Sequence, residues 1–184
     1  MTSLLSEKQE ADLDSAWRSW QMSTQTISHR VFLGRDSTAS GDVQIATMNN
    51  WAIGISPGIK SPAPKVDPNE DAVGVIHTSG GVVAVVADAH CGRLSAEETV
   101  NHVIATALKD PPQLDPAQWM RACFTRSETT ASRRFAPSAC AALLAIQRED
   151  RLWWSSVGDC RLYVVQGKQT TILNPLNHRW LGNG

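Results

Sequence analysis

The sequence has little that would assign it to an unusual class. It carries one tyrosine and three phenylalanines in 184 residues, and its formal net charge is −1. Without a basic excess there is no global field to recruit nucleic acid or an anionic membrane, so neither is expected as a partner. No two of Cys91, Cys123, Cys140 and Cys160 stand close enough for a C-x-x-C pair, which argues against a zinc ribbon. The opening residues, MTSLLSEKQEADLD, contain no basic stretch followed by an apolar one, so no secretory signal is read there. No apolar run approaches the length that spans a bilayer. The expectation is a cytoplasmic chain whose cysteines are mostly small, reduced core residues.

What is present suits a single folded unit. Apolar residues make up 42% of the chain, enough for a sizeable core. Residues 4–21 have helical spacing, with Leu13, Ala16, Trp17 and Trp20 on one face and Ser6 and Gln9 placed as a capping box. The polar stretch 23–41 has no clear period. Residues 1–41 therefore read as a helix and extension, and 42–184 as the main domain. The seven tryptophans are mostly core candidates.

Val43, Ile45 and Thr47 alternate, as do Trp51, Ile53 and Ile55, and Asn49-Asn50 between them predicts a hairpin. Pro57, Pro62, Pro64 and Pro68 then impose an irregular loop. Residues 72–77 and 82–88 are apolar runs joined by Thr-Ser-Gly-Gly, a second hairpin with both faces covered. Ser95 and Glu98 read as a capping box opening a helix to about Lys109, with Val100, Val103, Ile104 and Leu108 as its stripe. Asp115 caps another helix, with Pro116 at its first position, running to about Arg134. Four strands in a meander are expected at 140–147, 151–157, 161–166 and 170–173. The order points to an α+β fold with antiparallel sheets and helices outside, not to a doubly wound parallel sheet. Trp153 and Trp154 point to opposite faces of their strand, so one ring is expected at an exposed edge.

One feature is out of keeping with a core strand. The apolar run Val82–Ala87 ends in Asp88, His90 and Cys91. In a hairpin, Asn69-Glu70-Asp71 lies beside that end, because the chain reverses between them. Three carboxylates then converge near a histidine. Such groups repel one another, and a divalent cation relieves the repulsion. Hard oxygen ligands favour magnesium or manganese over zinc.

A third segment, Ser155–Val165, completes a pattern. Four segments in order resemble the metal-dependent protein serine/threonine phosphatases of type 2C, the PPM family. They are V-D-P-N-E-D (66–71) for R-x-x-N-[E/Q]-D, D-A-H-C-G (88–92) for D-G-H-G-G, P-S-A-C-A (137–141) for a G-S-T-A-like strand, and G-D-C-R (158–161) for G-D-S-R. A degenerate L-T-x-D-H follows as L-N-P-L-N-H (173–178). The resemblance covers about residues 40–180. It implies an αββα sandwich and hydrolysis of phosphoserine and phosphothreonine on a phosphorylated protein partner, with two or more Mn²⁺ or Mg²⁺ ions. By resemblance, Asp88 bridges two ions, the Ala89 carbonyl binds one, Glu70 holds a metal-bound water with Asp71 beside it, and Asp159 serves a further ion. His90 protonates the leaving oxygen.

The resemblance also has gaps. The family's phosphate-gripping arginine falls on Val66, leaving Lys65 as the adjacent cation for substrate phosphate. Two glycines of D-G-H-G-G are Ala89 and Cys91, which strains the loop if either needs positive φ. Cys91 reads as an inert stand-in for glycine more readily than as a reactive thiol. Two further metal-binding aspartates of the family have no counterpart before Gly184, so the expectation is the N-terminal portion of such a domain or a weakly active relative. The competing expectations are a phosphatase-fold binding module without turnover and a hydrolase of small phosphoesters.

Overall fold

The computed structural model describes residues 28–37, 42–48, 51–57, 67–112, 115–175 and 179–182. The amphipathic helix read at 4–21, the Asn49-Asn50 turn, Lys65, Val66 and the Asn177-His178 pair lie outside the described residues. Among the described residues, no helix is long and apolar enough to cross a membrane.

The fold is α+β, with antiparallel sheets and two helices. The central hairpin forms as its sequence dictates: β4 (Asp71–Thr78) and β5 (Gly81–His90) turn through Ser79-Gly80. Strand β6 (Ala139–Arg148) pairs with the other edge of β5, and β7 (Arg151–Val157) pairs with β6. An edge strand, β1 (Ser28–Leu33), pairs with β4. The five-stranded order is β1-β4-β5-β6-β7. Strand β1 corrects the reading of 23–41 as aperiodic. An edge strand with exposed His29 and Arg30 leaves no alternation to read.

Both helices belong to one face of the sheet. Helix α1 (Leu94–Lys109) buries Val100, Val103, Ile104 and Ala107 against Ile76, Val83, Val85, Leu144 and Ile146. Leu108, expected in that stripe, is exposed, and Ala107 takes its place. Helix α2 (Pro116–Arg134) starts as its sequence requires, with the Asp115 carboxylate accepting the Gln118 N–H at 3.0 Å and Pro116 at the first turn. It buries Met120, Cys123, Ser127 and Ala131.

The start of α1 is a correction. Its N-cap, Arg93, has helical φ/ψ and makes no side-chain cap bond, so Ser95 and Glu98 form no capping box. Ser95 already lies inside the helix, and its N–H is met from a distance by Ser138 Oγ at 3.2 Å. The Ser138 hydroxyl donates to the Gly92 carbonyl, and the two serine hydroxyls bond at 2.8 Å.

The opposite face of the sheet is only partly covered. Strands β2 (Gln44–Met48) and β3 (Trp51–Ile55) form a separate ribbon, as expected, and Ile53 and Ile55 pack on Val73, Val75 and Val82. On the same face, Val86 remains 38% and Trp154 39% exposed, while Trp153 packs with the helix-side core. The chain leaves the sheet after β7 at Gly158 (φ +81), where a Cβ would stand 2.4 Å from that of Ala141. Strands β8 (Tyr163–Gln166) and β9 (Gln169–Ile172) therefore form a ribbon of their own. The expected four-strand meander is two separate hairpins.

Buried Asn174 ties this second ribbon to the sheet. Its Oδ1 accepts the Leu162 N–H at 2.7 Å, and its Nδ2 donates to the Cys160 carbonyl at 2.7 Å and to Ser156 Oγ at 3.2 Å. Asn174→Ala strands one backbone donor and one acceptor, a loss of about 1–3 kcal/mol. The urea midpoint should fall by a corresponding amount with the slope of the transition unchanged.

Candidate functional site

The register puts Asp71 directly opposite Asp88. Cys140 exchanges both backbone bonds with Leu181, at 2.8 and 2.9 Å, on the edge of β6 away from β5. Antiparallel ladders alternate, so Ala141 turns its own groups toward Asp88, and Asp71–Asp88 is then the closely spaced kind of pair, with Cα atoms ~4.5 Å apart. By the same alternation, the Ala89 carbonyl turns away from β6, toward Glu70 and Asp71. The hairpin thus brings together two of the expected carboxylates and the expected carbonyl at one sheet end.

Asp159 arrives from the other side. Ala141 lies opposite Asp88, and Gly158 packs against Ala141 at the end of β7, which carries exposed Asp159 to this end of the sheet. Cys160 marks the closeness of the groups. Burial, then the negative charges of Asp88 and Asp159, push its thiol up to about 12. Cys160 joins Asp71 and Asp88 in lining a cavity of about 230 Å³ beside the β2–β3 ribbon.

Glu70 is placed differently from its neighbours. It is buried, and its Oε1 accepts the Gly92 N–H at 3.1 Å and the Asp67 N–H at 3.2 Å. It therefore clamps the segment before β4 to the loop after β5. Asn69 completes the clamp, donating to the carbonyls of Ser37 and Ser56 and accepting the Asp71 N–H.

Sequence reasoning missed the ion network behind this loop. Asp67 accepts the Arg93 N–H at 3.0 Å and pairs with its guanidinium. Both oxygens of Asp67 are thereby engaged within the protein. Glu97, whose side chain is only 7% exposed, lies 3.1 Å from Arg35 Nη1 and 3.1 Å from Arg93 Nε. The Arg93 contact is out of line for a hydrogen bond. An Arg93–Glu97 pair at i,i+4 was the one legible signal.

His90, at the exposed end of β5, meets the indole of Trp180 edge-on, with ring centroids 4.5 Å apart and planes at 78°. Cys91 adopts φ +62, so the position that the resemblance gives to glycine does require left-handed backbone; Ala89 does not.

Among the described residues, no group of three or more His, Cys, Asp or Glu side chains is arranged to hold a metal ion. Two adjacent carboxylates and a carbonyl nevertheless fit magnesium or manganese. Such ions keep several waters and need only one or two protein carboxylates when a phosphate completes the shell. An all-oxygen set suits zinc less well, since zinc sites are built mainly on histidine and cysteine. No family model matches the chain, and no curated protein matches it in sequence.

Two outcomes follow. A non-glycine residue at left-handed φ carries a cost of roughly 1–2 kcal/mol, partly offset by the greater freedom glycine has when unfolded. Cys91→Gly should therefore raise stability by about 0.5–1 kcal/mol in chemical denaturation, and Cys91→Val should lower it. The second concerns Glu97. Burial raises its pKa against the opposing pull of Arg35 and Arg93. An acid with a raised folded pKa holds its proton more tightly when folded. Its contribution is fullest below the ordinary glutamate range, about pH 4, and is lost as pH rises toward the raised value. Stability measured against pH should fall in that window for the parent relative to Glu97→Gln, and the difference should be flat above it.

Proposed function

We propose that this chain carries the metal-binding end of a metal-dependent protein phosphatase of the type 2C kind, with the helices and sheet described above forming part of an αββα sandwich. The substrate class is phosphoserine or phosphothreonine in a protein. The observation that carries this reading is the Asp71–Asp88 pair, opposed in register at the end of a buried hairpin, with His90 on the same strand.

In this reading Asp71, Asp88 and the Ala89 carbonyl hold Mn²⁺ or Mg²⁺, and Asp159 adds negative charge for a further ion. The bound cations supply an activated water and neutralise the charge that develops on the phosphate. Glu70 fixes the two loops relative to each other, with its second oxygen available to orient water. His90 gives its proton to the leaving seryl or threonyl oxygen, which departs poorly as an alkoxide. Lys65 would offer a point charge to the substrate phosphate.

One observation favours a second reading, a phosphatase-fold binding module without turnover. Glu70 Oε1 and both Asp67 oxygens are committed within the protein, leaving a small ligand set. Metal binding and turnover separate the two readings. Asp88→Asn should abolish Mn²⁺ binding in calorimetry while circular dichroism stays unchanged, and it should remove Mn²⁺-dependent hydrolysis of a phosphoseryl peptide. Binding by the parent without hydrolysis supports the module; equal binding by parent and variant removes the site.

A further inference from the structure

Trp180 lies ninety positions beyond His90, yet its indole is that histidine's ring neighbour. Its placement is set from both sides. Leu181 is buried and exchanges two backbone bonds with Cys140. Gly182 donates its N–H to Glu128 Oε2 at 2.9 Å and adopts φ +104, where a Cβ would stand 2.8 Å from the Ser138 carbonyl. On the other side, the Arg179 carbonyl packs 3.5 Å from the position a Gly158 Cβ would take. Leu181 belongs to the helix-side core. Strand-like alternation then sends the adjacent Trp180 to the opposite face, the one that carries Asp88 and His90.

On that face only Ala139 and Ala141 of β6 stand between Trp180 and β5. Their methyl groups are low enough for an indole to cross the strand and reach His90. A ring held edge to face has one favoured orientation, where a solvated histidine at a strand end samples several rotamers.

We infer that Trp180 is a positioning residue that fixes the His90 imidazole over the carboxylate end of the sheet for proton donation to the leaving group. This rests on the phosphatase reading for the identity of the proton acceptor. It adds a requirement from the segment after residue 178, which none of the motifs carries. Positioning matters most where the proton is needed. A serine alkoxide requires it, and p-nitrophenolate does not.

The test uses the full chain, Trp180→Leu, which keeps apolar bulk, and Trp180→Phe, which keeps a ring. Carbon-labelled histidine is followed by NMR, and hydrolysis of a phosphoseryl peptide and of p-nitrophenyl phosphate is measured in Mn²⁺. In the parent, the His90 ring protons should show a ring-current shift that Trp180→Leu abolishes and Trp180→Phe largely keeps. Trp180→Leu should lower kcat on the peptide at least tenfold, with KM and the p-nitrophenyl phosphate rate within about twofold, and Trp180→Phe should restore most of the loss. Equal losses on both substrates, or His90 ring shifts that are the same in the parent and Trp180→Leu, would overturn the inference. So would His90-dependent peptide hydrolysis that is indifferent to Trp180. No turnover of either substrate by the parent would overturn the phosphatase reading and, with it, the catalytic part of this one. The ring shifts would then still decide whether Trp180 orients His90.

Discussion

One buried carboxyl oxygen holds this end of the molecule together. Glu70 Oε1 accepts two backbone N–H groups, from Asp67 and from Gly92, which lie twenty-five residues apart in the chain. Removing a carboxyl group from water costs several kcal/mol unless donors replace the lost solvent. Here both donors are main-chain groups of irregular segments that have no ladder to satisfy them. The same contact therefore solves two problems. It supplies Glu70 with partners and fixes the loop after β5 against the start of β4. The Asp67–Arg93 pair and Glu97 brace that loop from the helix side.

The strand pair then makes the geometry at Asp71 and Asp88 a consequence of packing. Strand β5 is central, paired along its length by β4 and β6, and Val83, Val85 and Ala87 lock it to the helices. A register slip by one residue would turn all of these outward. The apolar run thus sets where Asp88 emerges, and two carboxyl-bearing residues are held opposite each other by burial elsewhere in the strand.

How much of this was legible follows the range of the interactions. The β4–β5 hairpin, the Asp115 cap and the β2–β3 ribbon depend on neighbours in sequence, and their patterns showed. Strand β1 did not show, because polar Ser28, His29 and Arg30 are followed by three consecutive apolar residues, Val31, Phe32 and Leu33, which leaves no alternation. The start of α1 was misread because Ser95 resembles a local cap, whereas the residue that meets its N–H is Ser138, forty-three positions away. The convergence of Asp71 and Asp88 could be inferred from chain reversal alone. The commitment of Glu70 to backbone could not, since it depends on where the loop at Gly92 lies. Trp180 carried no signal at all: its contact with His90 exists only because Leu181 continues the β6 ladder where β7 stops.

That substitution of one segment for another explains the small residues of β6. A row across the sheet runs Asp71, Asp88, Ala141 and Gly158, two aspartates followed by the two smallest residues. At its far end the main chain must leave β7, and the approach of Gly158 to Ala141 is already so close that no Cβ fits there. One residue further along β6, Leu181 takes up the free edge at Cys140, and the adjacent Trp180 reaches the ring of His90. A larger side chain at Ala141 would press on Gly158, and one at Ala139 on the Gly182 turn, where the Ala139 Cα already stands 3.1 Å from a Gly182 Cβ position. Ala139 and Ala141 are therefore set by two close chain approaches, at Gly182 and at Gly158, as well as by their place in the sheet.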